Sequence, residues 1–216
     1  MPETTEKPTQ KIYYDPISVA KRTKQIAYFV GQHDKPSILE HIFKNSDAKQ
    51  CVIITKSKRS ADELSDYLEL KEIKATAIHG NHRTQQIEDA TNGFNSSEIS
   101  ILITTDMILQ SLELENIQLM ISYDLPNEPK HYLTRIGYLK EIGDSIAFVS
   151  PEDDKLLNAI EFTMKAEIED GIVEGFTPTP HSHNYENKNS TKDKKKKPRH
   201  RKRKARKDTK TKEETQ

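Results

Sequence analysis

The sequence predicts an α/β fold in which a parallel sheet is covered by helices on both faces. Short apolar runs such as 51–54 have the length of buried strands, and amphipathic segments with helical spacing lie between them. Strands that are apolar on both sides and alternate with helices are typical of parallel sheets. Such sheets bind ligands at the carboxyl ends of their strands, so we expect functional residues there.

The predicted elements follow one another along the chain. We predict strand character at 12–14, 17–19, 25–30, 51–54, 75–78, 99–104, 119–123 and 145–149. We predict helices around 38–43, 60–70, 83–94, 131–137 and 153–169, and a short helix or turn at 107–112. Asp34 or Ser37 is expected to be the N-cap of the first helix.

Charge is divided unevenly along the 216 residues. Residues 181–216 carry 15 Lys or Arg and 5 Asp or Glu, a net of +10, so the first 180 residues carry −10 because the whole chain is neutral. Residues 184–216 are almost free of apolar side chains and cannot offset the entropy of folding. We therefore predict a flexible N-terminus at 1–10, a folded domain at 11–175 and a disordered basic tail at 176–216.

Composition excludes several classes of protein. Cys51 is the only cysteine, which rules out an intrachain disulfide or a cysteine-rich zinc site, and its apolar surroundings predict a buried thiol. His181 and His183 have no cysteine or carboxylate cluster beside them, so we expect no metal. With no membrane-length apolar run and no secretory signal, we expect a cytoplasmic protein without membrane contact.

The segment from Tyr123 to Gly137 carries a resemblance to a known family. It reads Y-D-L-P at 123–126 and Y-L-T-R-I-G at 132–137. It resembles the second RecA-like domain of the DEAD-box RNA helicases, where Y-D-L-P leads to Y-x-H-R-I-G-R-x-G-R. The resemblance covers about residues 12–170 and implies the RecA-like fold of that domain.

In the family, the arginines of this segment reach the phosphates of ATP, where positive charge stabilises the transition state. Here the second and third arginine positions hold Tyr138 and Glu141, and Lys140 is one position away from the last of them. Arg135 keeps the first arginine position. The resemblance leaves two roles for Arg135: a weak catalytic or ATP-binding candidate, or a structural ion-pair partner, which we favour.

Two further places resemble RNA-facing parts of the family. The loop after the strand at 51–54 contains five polar residues suited to phosphates: Thr55, Lys56, Ser57, Lys58 and Arg59. Gly80 matches an H-G motif and is expected either to let the RNA backbone approach closely or to serve only as a turn residue. The Gln and Arg that follow this motif in the family are replaced by Thr84 and Ile87.

The third motif resembles A-T-D followed by A-R-G-L-D. Thr105 and Asp106 are kept, and the resemblance implies that Thr105 contacts an RNA phosphate while Asp106 braces the loop. The family's R-G-L-D becomes the residues at 110–113, with Glu113 in place of the aspartate that helps hold the ATP ribose. Glu113 is therefore a weak candidate for contact with ATP.

The tail is predicted to bind RNA through charge alone. Dense positive charge gives salt-dependent, sequence-tolerant affinity for phosphate backbones, and the stretch 192–212 contains no aromatic residue for stacking bases. The alternative is a tail that only aids solubility. The predicted RNA-binding residues are Lys194, Lys195, Lys196, Lys197, Arg199, Arg201, Lys202, Arg203 and Lys204.

No phosphate loop and no D-E-A-D sequence occur in the 216 residues. In the family these motifs belong to the first RecA-like domain. We expect an RNA-binding or docking module without autonomous ATPase activity or its own cofactor, with RNA and a helicase or ATPase domain as partners. The alternative is the C-terminal half of an active ATP-dependent RNA helicase that uses ATP together with a separate ATPase domain.

Overall fold

A computed structural model describes residues 15–45, 50–139 and 143–177 of the chain. These residues form a sheet of seven parallel strands in the order β3-β4-β2-β5-β6-β1-β7. The strands are β1 Gln25–Phe29, β2 Cys51–Thr55, β3 Thr76–Ala77, β4 Ile101–Thr105, β5 Leu119–Ser122, β6 Asp144–Val149 and β7 Glu169–Gly171.

Helices connect most of these strands and pack on the sheet. They are α1 Pro16–Arg22, α2 Lys35–Asn45, α3 Lys58–Leu70, α4 Thr84–Asn95, α5 Asp106–Leu109, α6 Pro129–Gly137 and α7 Asp154–Met164, the last preceded by a 3-10 turn at Pro151–Asp153. None of the described helices is both long and apolar enough to cross a bilayer.

Both faces of the sheet are covered, as the apolar strands predict. In β2, Val52 and Ile54 pack into one core with α1, α4, α6 and α7, whereas Cys51 and Ile53 pack into a second core with α2 and α3. Cys51 is a buried free thiol, as expected. The predicted α/β class is confirmed.

The prediction of strand character at Ile17-Ser18-Val19 is wrong, because these residues lie in α1. The carboxylate of Asp15 accepts hydrogen bonds from Ile17 N and Ser18 N, at 3.4 and 3.2 Å, and a proline occupies the first turn. This N-cap outweighs the strand character of a three-residue apolar run. The predicted strand at 12–14 lies outside the described residues.

The N-cap alternatives for α2 are resolved in favour of Asp34. The helix begins at Lys35, and Ile38 N donates to the Asp34 carbonyl at 2.9 Å, which places Ser37 inside the helix rather than at its cap. The prediction of Ser37 as the cap is therefore wrong.

The last predicted helix is too long. α7 ends at Met164, because Lys165 takes the left-handed conformation (φ 56°), and Ile168 is buried outside the helix. Residues 169–171 then form β7, which pairs with β1 and was not predicted. Its sequence, Glu-Asp-Gly, carries no strand signal, because an edge strand of three residues is specified by its partner rather than by its own side chains.

After β7 the chain runs beside α2 and stays packed as far as Phe176. The His41 side chain donates from Nε2 to the Glu174 carbonyl at 2.8 Å, and the His41 and Phe176 rings meet edge-on at 6.1 Å. Val173 and Phe176 pack against the core that lies under α2 and α3. The domain boundary placed at residue 175 stays a prediction, although Phe176 still contacts the core.

Candidate nucleic-acid interface at the carboxyl edge

The predicted site residues meet at one edge of the sheet. Thr55 and Thr105 are register partners at the last positions of β2 and β4. Asp124 lies beside them, two residues after the end of β5. We call the loops after β2, β3, β4 and β5 the carboxyl edge. It has two halves that differ in how their charges are held.

Arg135 is the centre of the first half. Its side chain is 1% exposed and makes a bidentate ion pair with Asp106, with Nε–Oδ1 at 2.6 Å and Nη2–Oδ2 at 2.7 Å. Its Nη1 donates to the Asp124 carbonyl at 2.8 Å. Planar, two-point pairing of this kind is geometrically demanding and ties α6 to the loops after β4 and β5.

Lys35 is a buried charged residue of this edge that sequence reasoning missed. Its side chain is 1% exposed, and Nζ lies 3.0 Å from Asp124 Oδ1 and 5.5 Å from the centroid of the Tyr123 ring. The other oxygen of Asp124 accepts from Lys56 N at 3.0 Å. A lysine at a helix start carries no signal for burial, because its partner lies 89 residues away in sequence.

We call Lys35, Asp106, Asp124 and Arg135 the braced half. Two cations and two anions are linked there through side chains and one carbonyl. The predicted bracing role of Asp106 fits this geometry, and so does the ion-pair alternative for Arg135. The catalytic and ATP-binding alternatives for Arg135 stay predictions.

Tyr138 adds no charge to this half. It occupies the position after Gly137 at the end of α6, is half-buried, and packs against the core. Burial raises the pKa of its phenol, so the side chain is neutral at physiological pH. Lys140 and Glu141 lie outside the described residues.

The second half is built on the loop between β2 and α3. Ser57 is the N-cap of α3, its Oγ accepting from Ser60 N at 3.1 Å. Thr55 is 1% exposed, and its hydroxyl lies 3.1 Å from the Ser57 carbonyl and 3.4 Å from that of Thr104. Thr55 therefore shapes the loop from within, and its predicted RNA contact stays a prediction.

Three cations surround the start of α3. Lys56, Lys58 and Arg59 are all exposed. Arg59 also pairs with Glu63 at 2.6 Å on the helix surface, where both side chains are largely in solvent. Exposed cations and main-chain N–H groups at a helix start are suited to binding phosphate oxygens.

Gly80 lies directly beside these cations. Lys58 Nζ donates to Asn81 Oδ1 at 2.7 Å, and the Lys58 side chain passes over Gly80. A Cβ added at Gly80 would meet nothing closer than 3.6 Å, and the residue does not take the left-handed conformation. Its own backbone therefore does not require glycine, and both alternatives, close approach of RNA and an ordinary turn residue, stay predictions.

The Gln and Arg contacts of the family pattern are not rebuilt by neighbouring residues. Ile87 packs against the core, Gln85 Nε2 donates to Asp89 at 2.8 Å, and Gln86 Oε1 accepts from Arg83 N at 2.9 Å. The side chains of Gln85, Gln86 and Ile87 are thus occupied by packing or by a hydrogen bond within α4 or its N-terminus.

Thr105 and Glu113 end up in different surroundings. Thr105 is half-buried at the end of β4, opposite Thr55. Glu113 is exposed, and its carbonyl accepts from Asn95 Nδ2 at 2.9 Å, at the last residue of α4. The RNA contact of Thr105 and the ATP contact of Glu113 stay predictions.

We call Thr55, Lys56, Ser57, Lys58, Arg59, Gly80 and Thr105 the open half. Most of its polar groups face solvent, whereas the cations of the braced half are buried. The predicted tail residues between Lys194 and Lys204 lie outside the described residues.

Comparison with protein families identifies this domain. The family model "Helicase conserved C-terminal domain" matches residues 34–138, which span both halves of the edge. Over this region the chain is similar to the C-terminal RecA-like domain of the DEAD-box helicases. The predicted family resemblance is thereby confirmed.

Related proteins agree with this assignment. The ATP-dependent RNA helicase eIF4A of Mycosarcoma maydis is 30% identical over 182 residues, which cover 79% of this chain and 44% of that protein. The ATP-dependent RNA helicase vasa of Drosophila melanogaster is 32% identical over 139 residues, which cover 63% of this chain and 21% of vasa. This chain therefore spans less than half the length of these relatives.

Solved structures show the same fold. A DEAD box protein from Methanococcus jannaschii matches with a TM-score of 0.66 and 28% identity, over 71% of this chain and 43% of that one. Dbp5 of S. cerevisiae, bound to RNA and ADP BeF3, matches with a TM-score of 0.68 and 21% identity, over 75% of this chain and 45% of that one. At that identity the match to Dbp5 concerns the fold alone.

Proposed function

We propose that this chain binds single-stranded RNA at the open half of the carboxyl edge and does not hydrolyse ATP on its own. The observation that carries the proposal is the contrast in how the cations of the edge are placed. Lys56 and Lys58 face solvent around a helix start, whereas Arg135 is buried in an ion pair. A buried, paired arginine would have to leave Asp106 to reach a phosphate.

The basic residues between Lys192 and Lys212 are proposed to add salt-dependent affinity for the same class of ligand. The chain then works in the cytoplasm as an RNA-binding module or as a docking module for a helicase or ATPase domain. The relatives that share this domain are named as RNA helicases, which supports RNA as the ligand class.

The test is RNA binding by fluorescence anisotropy across a salt series. The full chain is compared with a chain that ends at Pro180, which keeps every described residue. If the open half binds RNA, the shortened chain retains measurable affinity at moderate salt and has a shallower salt dependence than the full chain. Loss of all affinity would assign binding to the tail and leave the domain as a docking scaffold.

A matched pair of variants separates the open half from general charge. Lys58→Ala removes a cation at the start of α3, and Lys71→Ala removes one at its end, where Lys71 pairs with Glu40 at 3.3 Å. We expect Lys58→Ala to weaken RNA binding several-fold and to reduce the salt slope by about one, and Lys71→Ala to do neither. Equal effects would contradict a localised site.

A second function is favoured by the family itself. The matched relatives are named as ATP-dependent RNA helicases and are much longer than the matched region, so this domain could complete an ATPase site together with a second RecA-like domain. Measuring RNA-stimulated ATP hydrolysis after adding a DEAD-box N-terminal domain decides between the two. Turnover that depends on this chain and is lost in Arg135→Ala would favour the enzymatic alternative.

A further inference from the structure

A tight turn links β3 to α4, and two histidines form its ends. His82 N donates to the His79 carbonyl at 2.9 Å, closing a four-residue turn with Gly80 and Asn81 at its centre. The imidazoles of His79 and His82 are in contact and tilted against each other, with ring centroids 4.3 Å apart and planes at 55°. This histidine pair therefore flanks the glycine of the open half.

The turn is held from α3 by two residues one helical turn apart. Lys58 Nζ donates to Asn81 Oδ1 at 2.7 Å, and Asp62 Oδ1 accepts from His79 Nε2 at 2.7 Å. His79 is 4% exposed, so its imidazole is largely enclosed by these neighbours. The position of the turn is thus fixed relative to the start of α3, where the cations of the open half lie.

The hydrogen bonds assign the protons of His79. A carboxylate only accepts, so Nε2 carries the hydrogen shared with Asp62. The other nitrogen, Nδ1, lies 3.4 Å from Asn81 N, which donates to it. Both nitrogens of His79 are satisfied by the neutral imidazole, and a second proton would cost the bond from Asn81.

His82 differs, because its Nδ1 faces both a donor and an acceptor. It lies 3.2 Å from His79 N and 3.2 Å from the His79 carbonyl. Unprotonated, Nδ1 accepts from the backbone N–H; protonated, it donates to the carbonyl. His82 can therefore take up a proton without losing its link to the turn. Nε2 carries an N–H in both states, and protonation gives that donor a positive charge to offer to a ligand.

The charges around the pair favour an anion there once His82 is protonated. The described groups that face the turn are Asp62 and Lys58 from α3, while Arg83 follows His82 at the start of α4 and is exposed. Asp62 keeps its negative charge while it accepts from the neutral His79. Lys58, Arg83 and a protonated His82 together outweigh it, so the net charge beside Gly80 is positive, as phosphate recognition requires.

We propose that His82 is an additional RNA-contact residue that binds a phosphate in its protonated form, and that His79 and Asp62 are its positioning residues. This inference rests on the proposed function, because it extends the open half by one contact. Its signature is proton uptake on RNA binding, since a phosphate beside an imidazole favours the charged form.

The experiment measures RNA affinity of the full chain from pH 8 to pH 6 at constant ionic strength. We expect the wild-type affinity to rise about three- to tenfold over that range. His82→Phe keeps a ring against His79 but cannot take up a proton, and His82→Gln covers the case in which the phenylalanine variant does not fold. Both are expected to lose most of the pH dependence.

Two controls make the result specific. His33→Gln alters a histidine after β1, where it pairs with Asp34 at 3.3 Å, and is expected to keep the pH dependence. Asp62→Asn removes the charge that holds His79 and is expected to flatten the pH profile while the affinity at pH 8 stays near that of the wild type.

Each outcome decides something. A pH dependence that persists unchanged in both His82 variants, or that is absent from the wild type, overturns the role of His82 but leaves RNA binding intact. Failure of the wild type to bind RNA anywhere between pH 6 and pH 8 overturns the proposed function and this inference together.

Discussion

The braced and open halves of the carboxyl edge use charge in opposite ways. In the braced half, Lys35 and Arg135 are each 1% exposed and are held by carboxylates. In the open half, Lys56 and Lys58 face solvent, and the loop is shaped by the neutral hydroxyls of Thr55 and Ser57. Charge holds the loops in place on one side of the edge and is exposed to a ligand on the other.

This difference shows why a motif position alone does not assign a role to the residue that occupies it. Arg135 keeps its place in the family pattern, but its contacts in this chain are those of a structural residue. A sequence pattern shows which residue type occupies a position, whereas burial and hydrogen bonds show what its side chain contacts. The halves can be tested against each other by removing one group at a time.

The largest effect is expected from breaking the Arg135–Asp106 pair. Arg135→Met leaves Asp106 without its bidentate partner, and we expect the free energy of unfolding to fall by about 3 kcal/mol, because an uncompensated, partly buried charge is costly. Urea denaturation at pH 7 measures the change. The double variant Arg135→Met with Asp106→Asn removes both charges and is expected to recover part of the loss.

An exposed pair provides the comparison for this prediction. Arg59 and Glu63 are also 2.6 Å apart, but their side chains are 88% and 62% exposed. We expect Arg59→Ala to leave stability nearly unchanged, because an ion pair in solvent contributes little. Similar losses in Arg135→Met and Arg59→Ala would show that burial does not distinguish the two halves.

Lys35 is expected to give the second-largest effect. Lys35→Met keeps most of the buried apolar stem but leaves Asp124 Oδ1 without its cation, so we expect a loss of about 2 kcal/mol. Denaturation measures the loss, and anisotropy shows whether RNA affinity falls as well. RNA affinity that is reduced while stability is unchanged would place Lys35 in the open half instead.

A charge cluster centred on Glu40 of α2, outside both halves of the edge, provides a reference whose stability depends on pH. Hydrogen bonds from Lys44, then Tyr67, then Lys71 lower the pKa of Glu40 to about 2, from an ordinary value of 4.5. The resulting stability is present above pH 4.5 and is lost as the pH falls towards 2, because protonation then becomes the same in folded and unfolded chains.

We expect this cluster to contribute about 1 kcal/mol after solvent screening. Urea denaturation of the wild type and Glu40→Gln should show that difference at pH 7, with the gap narrowing between pH 4.5 and pH 3. A gap that is constant over this range would mean that the ionised carboxylate does not stabilise the fold.

Gly80 is expected to give the smallest effect on stability. Because an added Cβ would meet nothing closer than 3.6 Å, Gly80→Ala should stay within about 0.5 kcal/mol of the wild type. If the RNA backbone approaches this residue closely, the same change lowers RNA affinity several-fold. Unchanged affinity would return Gly80 to the role of an ordinary turn residue.

Most of the fold could be predicted from the sequence. The strands β2, β4, β5 and β6 are recognisable in the sequence as apolar runs, and the helices between them show regular apolar spacing. β7 could not be found in this way, because its three residues are polar or glycine and are ordered by pairing with β1. The start of α1 was missed because a cap at Asp15 decides it, rather than the residues inside the helix.

The location of the site could be predicted from the sequence, but the contacts of its individual side chains could not. Strand ends place Thr55 and Thr105 side by side, which follows from the parallel sheet. The internal use of the Thr55 hydroxyl and the burial of Lys35 depend on partners that only the folded chain brings together. The histidine turn was missed for the same reason, since His79 is linked to Asp62 across 17 residues.

The position of β1 in the sheet has a consequence for how this chain folds during synthesis. β1, the first strand among the described residues, pairs on one side with β6, at 144–149, and on the other with β7, at 169–171. Its neighbours are therefore translated more than a hundred residues later. Until then β1 lacks both of its partner strands. We therefore expect the β1 side of the sheet to form late and slowly, and a chaperone to shield the unpaired strand on the nascent chain.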